Sequence, residues 1–138
     1  MDIRELHILL VDDDEVDVMN VQRAFEKNRL TNPIHVAGNG IEALQKLRDG
    51  SIPSTRRLVL LDLNMPRMNG IEFLRSLRSD PSLQHTSVVV LTTSNEDRDK
   101  IDAYRLNVAG YLLKPVTFTS FADLMSALNK YWTLVEMP

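Results

Sequence analysis

The chain is 138 residues long, 43% hydrophobic and 25% charged, and 19 acids against 16 Lys plus Arg leave a net charge of −3. That length suits one domain with a sizeable core, and five Gly with six Pro exclude a low-complexity or collagen-like chain. Without Cys there are no disulfides and no thiolate chemistry; strand-length apolar runs, an N-terminus lacking a signal-peptide pattern and mild acidity argue for a cytoplasmic domain with no membrane span and no nucleic-acid partner.

The run Leu6 to Val11, interrupted only by His7, is rich in branched residues and stops at Asp12. A short, nearly continuous apolar run suits a strand buried on both faces. Asp12, Asp13, Asp14, Glu15 and Asp17 crowd the next residues, and Val18, Val21, Ala24 and Phe25 then recur at helical spacing to about Asn28. Asn32-Pro33 marks a turn before a short strand, Ile34 to Ala37. Asn39-Gly40 could open a hairpin, but Ile41, Ala43, Leu44 and Leu47 follow with helical period. Asn39 is therefore read as an N-cap with Glu42 at N3, and Gly50 as the helix stop.

Leu58 to Leu61 is a second strongly buried strand, and it too stops at an acid, Asp62. After a loop from Asn64 to Met68, Asn69-Gly70-Ile71-Glu72 repeats the earlier helix start, Leu74 and Leu77 continue it, and Asp80-Pro81 closes it. Val88 to Leu91 forms another strand, ending at Thr92-Thr93-Ser94. A polar helix with Ile101, Tyr104 and Leu106 on one side follows. The last strand is Ala109 to Leu113, ending at Lys114-Pro115, and a final helix carries Phe121, Leu124, Met125 and Leu128 at core spacing. Strand and helix alternate five times, which predicts an α/β fold: a doubly wound parallel sheet with helices on both faces. Such sheets bind ligands outside the carboxyl ends of their strands.

At that rim stand Asp12 and Asp13, Asp62, Thr92 and Lys114. Two carboxylates about 4 Å apart repel by roughly 4 kcal/mol at an effective dielectric near 20. Three of them need a compensating cation beyond one lysine, and all-oxygen ligation with room for water favours Mg²⁺. Asp14, Glu15 and Asp17 read instead as helix-start charges facing the macrodipole. Asp62 does not: it interrupts Leu-Val-Leu-Leu-Asp-Leu, where an unpaired charge is costly.

Val11-Asp12-Asp13, Asp62 through Gly70, Thr92 and Lys114-Pro115 together resemble the receiver domain of two-component response regulators, over about residues 6–132. The resemblance implies a flavodoxin-like, five-stranded sheet of order 2-1-3-4-5 in a single receiver domain spanning 1–138. It implies that Asp62 is the phosphoacceptor, taking a phosphoryl group from a sensor histidine kinase; a carboxylate nucleophile forming an acyl phosphate is sound chemistry. Asp13, Asp62 and the backbone carbonyl of Asn64 would ligate Mg²⁺, with Asp12 acting through water or the field. Lys114 would pair with Asp62 and then with the phosphoryl group, while the Thr92 hydroxyl would donate to it. Tyr111 matches the family's aromatic switch; the alternative is an ordinary half-buried strand tyrosine. The Lys114–Pro115 bond is expected to be cis.

Three departures stand out: Ser51 to Arg57 lengthen the connection before the third strand, Thr93 stands where many receivers carry Ala or Gly, and Asn64 and Ser94 border the path of attacking water. Too little chain follows Pro115 for an effector domain, so output is expected through protein contact or onward transfer to another histidine. The apolar tail around Trp132 reads either as self-packing or, with the last helix, as a homodimer surface. These features resemble the single-domain regulators that partner bacterial and cyanobacterial phytochromes. Asn20, Arg23 and Lys27 on the first helix are candidates for contact with the kinase. The chain is expected to be a signalling protein rather than an enzyme. A haloacid-dehalogenase-type phosphatase wants a second Asp where Asn64 stands, and His7, His35 and His85 show no ligand spacing. The alternative is a pseudo-receiver that binds partners without phosphorylation.

Overall fold

The computed structural model describes residues 6–27, 29–54, 56–65, 67–114, 123 and 126. The core positions expected of the final helix (Phe121, Leu124, Met125 and Leu128), the tail with Trp132 and the isomer of the Lys114–Pro115 bond lie outside the described residues. In chain order the elements are β1 (His7–Val11), α1 (Glu15–Lys27), β2 (Ile34–Ala37), α2 (Gly40–Arg48), β3 (Arg57–Leu61), α3 (Gly70–Ser79), β4 (Ser87–Thr92), α4 (Asp97–Arg105) and β5 (Gly110–Leu113). Among the described residues no helix is long and apolar enough to cross a membrane.

All strand pairs are parallel, as the element order implied, and the order is β2-β1-β3-β4-β5, the flavodoxin-like arrangement that the family resemblance implied. The continuous apolar runs are explained by burial on both faces. Leu9, Val11, Val59, Leu61, Val88 and Val90 face a core shared with α2, α3 and Ala103 of α4. Ile8, Leu10, Leu58, Leu60, Val89 and Leu91 face a second core with Val21, Ala24 and Phe25 of α1.

Register aligns the strand ends. Val11 pairs with Leu61, Leu61 with Val90, and Thr92 with Leu113. The ladder continues one step past the strands, with Asp62 N–H donating to Val11 O at 2.9 Å and Lys114 N–H to Thr92 O at 2.8 Å. The rim residues are thus held by main-chain bonds before any side-chain contact is counted.

Both Asn-Gly helix starts cap as expected, yet not identically. At α3, Asn69 accepts from Glu72 N–H and the Glu72 side chain accepts from Asn69 N–H, a complete capping box. At α2, Asn39 accepts from Glu42 N–H, but the Glu42 side chain reaches one residue further back to Gly38 N–H. Each cap of this kind contributes about 1 kcal/mol. Gly50 takes φ +83 just past α2, the left-handed conformation that stops a helix.

Helix α4 is the polar helix that the sequence suggests, and its apolar side is only partly covered. Its buried residue is Ala103, with Leu106 packed alongside, whereas Ile101 and Tyr104 are about half exposed. In so polar a helix the small residue makes the close contact, and the larger apolar side chains face outward. Arg78 of α3 anchors the far end of this helix: its guanidinium donates to Leu106 O (2.7 Å), Asn107 O (3.1 Å), Gln84 O (2.9 Å) and Thr86 O (2.6 Å).

Removing that fork leaves four carbonyls without their donor. Arg78→Ala is expected to cost about 2–4 kcal/mol, read as a lower urea midpoint at unchanged slope; a loss under half a kcal/mol would contradict the clamp. Gly70 is equally exacting. A Cβ there would meet Leu63 Cα at 2.6 Å and the Asp62 carbonyl at 2.7 Å, main-chain atoms that cannot turn aside. Gly70→Ala is expected to destabilise by about 1–3 kcal/mol, measured the same way.

Candidate functional site

Four elements deliver the rim. Asp12 and Asp13 follow β1, Asp62 follows β3, Thr92 ends β4, and Lys114 follows β5. Asp12 and Asp62 are buried, Asp13 is exposed, and Thr92 is fully buried. One carboxylate oxygen from each of Asp12, Asp13 and Asp62 falls within 4.8 Å of the others, an all-oxygen set that suits a hard divalent ion. The chain thus assembles the donors that the sequence pointed to.

Asp62 is held from both sides. Thr92 Oγ1 donates to its Oδ1 at 2.9 Å, and Asn64 N–H donates to the same oxygen at 3.1 Å. Lys114 Nζ approaches its Oδ2 at 3.4 Å. The lysine is nearer to two other acids: Asp12 Oδ2 and Asp17 Oδ2, each at 2.7 Å. Burial opposes its charge, but the bonds to Asp12 and Asp17 and the field of Asp12 and Asp62 outweigh this and hold its pKa above the ordinary lysine value. For Asp12 the balance is reversed: burial raises its pKa despite the bonds from Lys114 and Asp14 N–H, and Asp62 adds to the rise.

Asp17 lies in the first turn of α1, as the sequence reading had it, but makes a contact that the reading did not foresee. Of the three acids assigned to the helix start, Asp14 does cap α1, accepting from Val16 and Asp17 N–H. Asp17 turns its side chain to Lys114, across 97 residues of sequence. Its spacing from Asp14, one helical turn, was the available signal, but any first-turn acid shows it.

Around the rim, the Tyr111 hydroxyl donates to Ser94 O at 2.8 Å, and its ring packs on the core beside α3 and α4. Burial pushes the Tyr111 pKa up, with Ser94 opposing and Asp99 and Glu96 adding to the rise. Ser94 N–H reaches Thr92 Oγ1 at 3.3 Å, and the Ser94 hydroxyl bonds Asp99. Thr92, Ser94 and Tyr111 therefore form one chain of contacts from Asp62 to β5. Asn64 Nδ2 meets Thr93 Oγ1 at 3.4 Å, bringing together two of the departures noted above. The histidines stay away from the rim: His7 and His35 pair with each other at 3.1 Å on β1 and β2, and their rings stack. Asn20, Arg23 and Lys27 are exposed on α1, beside the exposed apolar Val16 and Met19.

Comparison with known proteins agrees with this geometry. The model of the response regulator receiver domain matches residues 8–129. The "Probable methanogenesis regulatory protein FilR2" of Methanothrix harundinacea is 39% identical over 127 residues, covering 91% of this chain and 82% of that protein. The solved structure of the phosphorylated cyanobacterial phytochrome response regulator RcpA superposes with a TM-score of 0.79 at 30% identity, covering 97% of this chain and 99% of that one. The Mn²⁺-bound form of response regulator Rcp1 gives 0.76 at 31% identity, covering 96% and 99%. The family model covers most of the chain, whose own parallel sheet gathers three carboxylates, a threonine and a lysine at one rim, and the chain belongs to the response regulator receiver domain family.

Proposed function

We propose that this receiver accepts a phosphoryl group on Asp62 from a sensor histidine kinase in the cytoplasm and passes the signal on through its changed surface. The observation that carries the reading is the state of Asp62: a buried carboxylate with a hydroxyl on one oxygen and an ammonium near the other. In the transfer, an Asp62 oxygen bonds to phosphorus as the phosphorus–nitrogen bond of phosphohistidine breaks, and the electron pair returns to the imidazole. Thr92 and Lys114 would take up charge on the transferred oxygens, which is the main demand of phosphoryl transfer. The protein acts once per phosphoryl group as an acceptor, not as a turnover enzyme.

Asp13, Asp62 and the Asn64 carbonyl are the ligands assigned to Mg²⁺, with Asp12 contributing through water. The Asp cluster supports this, as does the Mn²⁺-bound form of the related Rcp1. Bound there, the ion would supply positive charge against the phosphoryl oxygens. Thr92 and Tyr111 are assigned the switch, on the strength of their shared link to Ser94. A phytochrome is the kinase we favour, because RcpA, so similar in structure, is a phytochrome response regulator. Output passes to a downstream protein or a histidine phosphotransfer protein.

Incubation with Mg²⁺ and acetyl phosphate should add one phosphoryl mass to the intact wild-type chain and none to Asp62→Asn. An unmodified wild type would favour the phosphorylation-independent module, and a modified Asp62→Asn would move the acceptor elsewhere. Mg²⁺ affinity is expected to fall as pH drops, starting above the usual aspartate range near pH 4. The sign follows from Asp12: burial favours its protonated form, whereas the ion needs the charged one. Calorimetric titration across that range checks it; a flat profile would contradict it.

A further inference from the structure

The ammonium of Lys114 has three protons, and three carboxylates claim them. Asp12 and Asp17 stand at 2.7 Å and Asp62, the acceptor, at 3.4 Å. A phosphoryl oxygen on Asp62 must therefore compete for a donor already committed to its neighbours. Asp12 is a poor candidate to yield, since its side chain is 2% exposed and its other oxygen holds Asp14 N–H. The Asp17 side chain is 31% exposed and can exchange the lysine for water.

We propose that Asp17 is a positioning residue of the phosphorylation site: it holds Lys114 back from Asp62 until a phosphoryl group draws the ammonium across. This rests on the phosphoacceptor reading above. Two electrostatic effects of Asp17 then have opposite signs. Its negative charge strengthens the field that attracts a divalent cation to Asp12, Asp13 and Asp62. The same charge weakens binding of an anionic phosphoryl group, both by repulsion and by occupying Lys114. Because Asp17 lies on α1, its release also changes that helix's tie to β5 in step with the state of Asp62.

The test uses the full chain and two probes, Mg²⁺ alone and beryllofluoride at saturating Mg²⁺, each followed by calorimetry. Asp17→Asn should weaken Mg²⁺ and tighten beryllofluoride, each by about two- to fivefold, the range of a partly exposed ion pair. Asp17→Glu, which keeps the charge, should restore both values toward wild type. A merely structural role predicts that Asp17→Asn weakens both ligands together, and that result would overturn the proposal. Unchanged affinities in Asp17→Asn, with wild type binding beryllofluoride normally, would overturn the role of Asp17 alone. Wild type that takes up no beryllofluoride would overturn the phosphoacceptor reading, and this inference with it.

Discussion

Carboxylates forced together at the dry end of a sheet make the constraint on which this molecule turns. The strands carry Asp12 and Asp62 to adjacent positions because Val11 and Leu61 are register partners deep in the core. Neither acid can move away without breaking the ladder, and both are buried. Water screens them poorly, so the charge has to be met by nearby groups. Lys114 meets part of it, and it reaches the rim only because β5 pairs with β4 in the register that sets Leu113 beside Thr92. The electrostatics of the site are therefore a consequence of strand pairing. Alignment of the strand ends brings together residues that lie 102 positions apart.

This explains why so much of the fold and the site was legible. A strand buried on both faces must be almost wholly apolar, so the abrupt acids at 12 and 62 identify both the strands and their ends. The Asn-Gly starts at 39 and 69 are equally local, since a cap needs only residues within one helical turn. Once the alternation of elements implies a parallel sheet, the rim residues follow from connectivity alone.

What could not be read depends on which of several equivalent partners a side chain selects. Asp14 and Asp17 look alike as first-turn acids, yet one caps the helix and the other crosses to Lys114. Which residue of α4 is buried was not legible for a related reason. Apolar spacing favours Ile101 and Tyr104, but close approach to α3 and the sheet selects the small Ala103. Arg78 gave no sign of its role, because its partners are four main-chain carbonyls, which no side-chain pattern advertises.

The Arg78 fork also constrains motion. It fastens the chain at Leu106 and Asn107, just beyond the carboxyl end of α4, while the amino end of that helix meets the rim through Ser94 and Asp99. A rod pinned at one end and pulled at the other pivots; it does not slide. A shift of the β4–α4 loop would therefore pass into α4 as a tilt about a fixed heel. The displacement is greatest near Asp97 and least at Arg105, so the exposed Ile101 and Tyr104 sweep an arc between them.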